Sequence, residues 1–285
     1  MRSDPALPRR AARLPTGLFA SAAAAALTLA APLGAEPGSA RPALDLATAR
    51  VVDLTHAYGP ESLFWPSSPP ETFQLRVLHH GQTPGGFFYA SNAFCTPEHG
   101  GTHMDAPLHF AEGRWDAAAV PVERLVAPAV VLDVREKAAA DRDYRLTRED
   151  VLAWEARHGR VPAGAVVLLR TGWSARWPDR ERYFGSPSLD DASGLHFPSY
   201  GAEAATLLVE RGAVALGVDT ASIDHGPSRD FAVHRVTAAA NVPGLENLAR
   251  LDEVPETGAW IVALPMKIAG GSGGPLRAVA LVPGR

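Results

Sequence analysis

The sequence predicts an α/β domain, and three features carry that prediction. Residues 129–134 and 165–170 are continuous apolar runs of strand length, which suit buried strands covered on both faces. Residues 199–212 carry Ala, Leu and Val at helical spacing and stop at Gly212, and residues 213–219 read as the strand that follows. Strand, helix and strand therefore alternate. The other elements fit around this frame. Residues 51–54 form a short first strand. Residues 73–80 and 87–95 are rich in β-branched and aromatic residues and flank Gly81, Pro84, Gly85 and Gly86, which is hairpin turn chemistry. Thr147 followed by Glu149 and Asp150 marks the start of a helix that closes at Gly159. A further helix is expected over 233–241, and residues 260–265 and 278–282 are closing strands.

With 285 residues and 46% hydrophobic content, the chain has the composition of a globular protein long enough for a sizeable core. Its 25 Pro and 26 Gly, spread along the chain, indicate a loop-rich fold. A formal net charge of −4 gives no electrostatic ground for a nucleic-acid or anionic membrane partner. The N-terminus is different. Arg9, Arg10 and Arg13 precede an Ala- and Leu-rich run over 18–33, which is short for a membrane span and is broken by Pro32. That pattern predicts a secretory signal over 1–35, a leader over 36–48 and the mature domain over 49–285, with export to the periplasm. The pair Arg9-Arg10 leaves Sec and twin-arginine export both open. Cys95 is the only cysteine, so no intrachain disulfide forms; it reads as a small buried hydrophobe, with a soft-ligand role as the alternative.

The densest chemical signal lies between Glu98 and Phe110. His99, His103, Asp105 and His109 stand at the spacing H-x3-H-x-D-x3-H, and the whole chain has only 10 His. His103 and Asp105 are two apart, so on an extended segment both side chains leave the same face. Gly100 and Gly101 let the chain bend and bring His99 round as a third ligand. Two imidazoles and a carboxylate are a common set for Zn²⁺ or Mn²⁺ and leave positions open for water. Pro107 displaces His109 from the ligand row, which suits it to general acid–base work. The bland alternative is four core or loop residues satisfied by backbone groups. His234 and Glu246, twelve apart, are uninformative alone; beside this cluster they become a second half-site, with Asp105 bridging two ions. Trp65, Phe87, Phe88 and Trp115 are candidate walls for an aromatic substrate, and His196, Tyr183 and Arg170 are candidate substrate contacts. His79, His80, His158 and His225 read as surface, helix-end and turn residues.

The segment His99-Gly-Gly-Thr-His103-Met-Asp105-Ala-Pro-Leu-His109-Phe110 resembles the signature of the cyclase family of metal-dependent hydrolases. The resemblance runs from about Val51 to Val282 and includes residues 217–224, 231–235, 245–248 and 264–267. It implies a swivelling β/β/α single domain with a mixed central sheet, forming homodimers or homotetramers with sites near a subunit interface. It also implies one or two divalent ions, Zn²⁺ or Mn²⁺, on His99, His103, Asp105, His234 and Glu246, with His109 as the catalytic acid–base. The activity it implies is metal-dependent cleavage of the C–N amide bond of a small aryl formamide or cyclic amide, through metal-activated water. A lactonase or cyclase-type lyase on the same site, and a non-catalytic periplasmic metal-binding protein, remain the alternatives. A saturated set of four or more protein ligands would favour the last.

Overall fold

The computed structural model describes residues 44–284 apart from 67, 69–71 and 187–191. The chain divides between Gly38 and Ser39, and every described residue belongs to the second unit. The expected signal over 1–35 lies outside the described residues, as does most of the leader. Among the described residues no helix is long and apolar enough to cross a membrane.

Among the described residues, twelve strands and six α-helices follow in chain order. β1 (Arg50–Asp53), β2 (Gln74–Gln82), β3 (Phe88–Cys95) and β4 (His103–Asp105) lead to the first helix, α1 (Val122–Leu125). After β5 (Val126–Asp133) come α2 (Arg135–Ala140), β6 (Arg145–Leu146), α3 (Arg148–His158), β7 (Val166–Arg170) and α4 (Arg180–Phe184). The remainder is β8 (Ser199–Tyr200), α5 (Ala202–Glu210), β9 (Ala215–Val218), α6 (Ala232–Ala239), β10 (Gly244–Glu246), β11 (Ala259–Pro265) and β12 (Gly273–Val282). β12, β11, β5, β7, β9, β10 and β4 close into a barrel of seven strands, because β4 pairs with both β10 and β12. β1 lies along the far part of β12. The run β5, β7, β9, β10 is parallel, whereas β11, β12 and β4 join antiparallel. The expected mixed central sheet of an α/β domain is what forms.

The alternation of side chains along each strand explains the two apolar layers. Ala127, Ala129 and Val131 of β5 face the barrel interior with Met104, Leu168, Leu245 and Ile261. Val130 and Leu132 face outward, against Trp154 of α3, Leu207 and Leu208 of α5 and Val233 of α6. Both faces of β5 and β7 are thus covered, which is why these runs are apolar throughout. Each large side chain buried this way contributes about 1.5–3 kcal/mol. The helix over 148–158 starts where Thr147 accepts from the Asp150 amide and Asp150 accepts from Thr147, a capping box.

Two expectations need correction. Residues 199–200 are strand and not helix, because they pair in parallel with Arg145 and Leu146 of β6, and the Ser199 and Tyr200 side chains are anchored by carbonyls of neighbouring segments, Ser199 near those of Ser222 and Ile223 and Tyr200 near those of Val167 and Gly217. The pair is held by its neighbours before the helix can begin. Cys95 is exposed and not buried, since β2 and β3 pair only with each other and stand off the barrel as an arm.

Candidate metal centre

β4 sits at the closure of the barrel, between β10 and β12. Met104 points into the core, so His103 and Asp105 both point to the outer face. Glu246 of β10 lies directly across from His103 and shares that face. The turn before β4 explains the two glycines. A Cβ on Gly100 would stand 2.1 Å from the Phe64 ring, and Gly101 has φ +59. Both demand glycine, one for close approach and one for a left-handed backbone. His234 comes from the first turn of α6, where Asp224 accepts from the amides of Val233 and His234.

These placements bring the two groups of donors together. His99, His103 and Asp105 offer atoms within 4.8 Å of one another, and so do Asp105, His234 and Glu246. The hydrogen-bond partners decide where the imidazole protons reside. His103 Nδ1 donates to the Gly101 carbonyl at 3.0 Å, leaving Nε2 to face Asp105 Oδ1 at 3.2 Å and Glu246 Oε2 at 3.5 Å. His234 Nδ1 donates to Asp224 Oδ2 at 2.7 Å, leaving Nε2 to face Asp105 Oδ2 at 3.0 Å and Glu246 Oε1 at 3.2 Å. His99 Nδ1 lies 2.6 Å from Asp105 Oδ1. Nitrogen lone pairs and carboxylate oxygens therefore face one another, and His103 Nε2 is buried with no hydrogen-bond partner. Acceptors in that arrangement need positive charge between them. Protons supply it in one way: although burial opposes the charge, the neighbouring Asp105 and Glu246 carboxylates raise His103, and hydrogen bonds to Asp105, Asp224 and Glu246 raise His234 well above the ordinary imidazole value. Burial likewise disfavours the Asp105 charge, yet the surrounding rings of His99, His103 and His234 hold its carboxyl well below the usual range. A divalent cation supplies the charge in the other way, and this nitrogen–oxygen donor set with no thiolate fits one.

The cluster forms the floor of a cavity of about 310 Å³. Leu63, Phe64, Trp65, Phe110, Phe184 and Phe231 make up most of its apolar wall. His109, at the end of the short 3-10 turn Pro107–His109, lines the same cavity. Its ring stacks on His99 with centroids 3.9 Å apart, and it is in neither donor group. Burial pushes its pKa down to about 4, so it is neutral near pH 7. Trp65 is on the wall as expected. Phe87 and Phe88 are not: they sit at the tip of the arm, exposed. Trp115 packs against the core beneath Arg124. Arg170 is a buried strut bonded to the Leu251 and Val254 carbonyls and to Asp133, and His196 pairs with Asp143. Neither lines the cavity. Tyr183 is buried behind it, with its hydroxyl donating to Asn247 Oδ1. His158 pairs with Glu256 at its helix end.

Two residues that orient the donors, Asn247 and Asp224, lie in segments that carry the family resemblance, but sequence reasoning gave neither of them that role. Asn247 donates to the Gly101 carbonyl at 2.7 Å, the acceptor that also holds His103. Asp224 holds His234. Asp224 stands ten residues before the ligand it serves and Asn247 adopts φ +55, and neither relation leaves a periodic signal.

Known proteins resemble this chain in sequence and fold. The Cyclase family model, described as "Putative cyclase", matches residues 52–225. The isatin hydrolase of Roseibium aggregatum is 34% identical over 247 residues, 82% of this chain and 92% of its own. A kynurenine formamidase of Paracidovorax citrulli is 31% identical over 67% of this chain and 80% of its own. The solved structure of isatin hydrolase A from Ralstonia solanacearum superposes with a TM-score of 0.74 at 37% identity, covering 83% of this chain and 93% of that one. On the match over most of its length, the chain belongs to the cyclase family.

Proposed function

We propose that the chain is a hydrolase acting on a carbon–nitrogen bond other than a peptide bond, and that its substrate is a small, uncharged aromatic cyclic amide of the isatin type. The observation that carries this reading is a floor of converging acceptors beneath an aromatic wall. His99, His103 and Asp105 would hold one Zn²⁺ or Mn²⁺, and Asp105, His234 and Glu246 a second. When bound, a divalent cation supplies a Lewis acid that polarises a carbonyl and lowers the pKa of water.

The chain's own residues do the rest. The apolar wall excludes water and orients a flat ring. His109 is neutral, faces the cavity and takes the proton of the attacking water on a ring nitrogen. It returns that proton to the leaving amide nitrogen, so that water is added across the C–N bond and the ring opens to an amine and a carboxylic acid, which releases its proton to solvent.

Among the described residues that line the cavity there is no Lys or Arg. A substrate carboxylate would therefore be desolvated with no cationic side chain to meet it. That disfavours an amino-acid substrate such as N-formylkynurenine and favours a neutral lactam. With about 1.4 kcal/mol corresponding to a factor of ten, we expect isatin to exceed N-formylkynurenine at least tenfold in kcat/KM. Steady-state assays of both on the metal-loaded protein test this. Preference for the formamide would overturn the substrate assignment.

A further inference from the structure

Beside the donors lies a pair that neither motif nor mechanism uses. Ser272, at the entry to β12, donates its hydroxyl hydrogen to Glu98 Oε2 at 2.6 Å, and its amide donates to the same oxygen at 2.9 Å. Its Oγ also stands 2.9 Å from His99 Nε2. A serine hydroxyl has one hydrogen, and a carboxylate can only accept it. The hydrogen is committed to Glu98, so Oγ can only accept from His99, and Nε2 must be the protonated nitrogen. In the neutral ring the lone pair is then on Nδ1, the nitrogen that lies 2.6 Å from Asp105 Oδ1 and the one a cation would take.

We infer that Glu98 and Ser272 form a positioning relay that fixes the His99 tautomer and so presents Nδ1, and not Nε2, to the cation. The three histidines then follow one rule through three different partners. The Gly101 carbonyl holds His103 Nδ1, Asp224 holds His234 Nδ1, and the Ser272 hydroxyl holds His99 Nε2. Only the last is a relay of two side chains, and it needs Glu98 to keep its direction. Without an acceptor at that position, the hydroxyl is free to rotate and donate to His99 Nε2. That would move the ring proton to Nδ1 and close the donor position. The inference rests on the proposed metal-binding role of His99.

Competition of the apoprotein against a chromophoric chelator, with Zn²⁺ as the probe, tests it. Removing an outer partner of a metal-bound histidine typically weakens metal affinity by about 10–100-fold. Ser272→Ala and Glu98→Ala are expected to lose that much. Glu98→Gln is expected to stay within about threefold of the parent, because both Ser272 donors select the amide oxygen in place of Oε2. The melting temperature of each apoprotein separates lost affinity from lost fold, and the ¹⁵N shifts of His99 report its tautomer directly. Parent-like affinity in Ser272→Ala and Glu98→Ala, or loss in Glu98→Gln equal to that in Glu98→Ala, would overturn the relay while leaving the proposed function intact. A parent protein that binds neither Zn²⁺ nor Mn²⁺ would overturn the proposed function as well.

Discussion

His109 shows how much a residue's role depends on what surrounds it. It stacks on one candidate ligand while lying outside both donor groups, and burial keeps it uncharged. General acid–base groups contribute about 10²–10⁴-fold to rate. His109→Ala is therefore expected to lower kcat by about that range while the bound metal, measured by elemental analysis, stays unchanged. Equal loss of metal would make His109 a ligand instead. At this scale the sequence was most informative where spacing does the work. His103 and Asp105 lie two apart on a strand, and that alone places them on one face. The partners that hold them were not legible. Asn247, Ser272 and Asp224 are brought in from other strands and loops, and nothing in their local sequence announces the contact. The aromatic candidates divided for the same reason. Trp65 reached the cavity and Phe88 did not, because nearness in sequence is undone by a strand that turns away.

At the scale of elements, propensity and tertiary pairing compete. α3 was legible from its capping box and its closing Gly159. β12 was legible only over its last residues, because it opens with Gly273, Gly274 and Pro275, which read as a turn. Pairing of those residues with β4 makes them strand, so long-range hydrogen bonds override local preference. The segment after β1 illustrates a further coupling. His56 stacks on Trp177 at 4.2 Å, its Nε2 is buried without a partner, and burial lowers its pKa to about 4. Unfolded, the same ring titrates near 6.5 and so binds a proton over a window in which the folded chain does not. The contribution of His56 to stability is therefore fully present above about pH 6.5, is lost as the pH drops from about 6.5 to about 4, and changes no further below that. Chemical denaturation at several pH values should show this slope in the parent and a shallower one in His56→Phe, which keeps the stacking. An unchanged slope would remove His56 as its source.

The whole molecule combines a closed barrel with an arm that does not belong to it. Two-stranded hairpins alone are marginal in water. By register, Leu75, Val77, Phe88 and Phe94 share one face of the arm. With Leu78, Phe87 and Tyr89 they make seven large side chains that are at least half exposed. The four on the shared face, at about 100 Å² each, offer roughly 400 Å² per copy, about half of the ~800 Å² that each partner contributes to a standard interface. We propose that a second copy of the chain covers this face, giving the homodimer or homotetramer that the family resemblance implies. Sedimentation velocity should show the oligomer in the parent and monomers when Leu75, Phe88 and Phe94 are together replaced by Thr; a monomeric parent would contradict it. We also propose that residues 1–35 direct export to the periplasm, on the strength of the basic and apolar N-terminal pattern. The barrel was legible as an α/β class from its two buried strand runs. Its closure was not, because it depends on three-residue β4 pairing on both sides.

The acceptor-only floor is the centre of the account, and the metal content of the purified protein tests it most directly. After loading with Zn²⁺ or Mn²⁺ and exhaustive dialysis, the parent is expected to retain at least one equivalent per chain. Asp105→Ala, which removes the carboxylate common to both donor groups, is expected to retain none while still folding. A parent that is metal-free after dialysis yet fully active would contradict the account, as would an Asp105→Ala variant that keeps its metal.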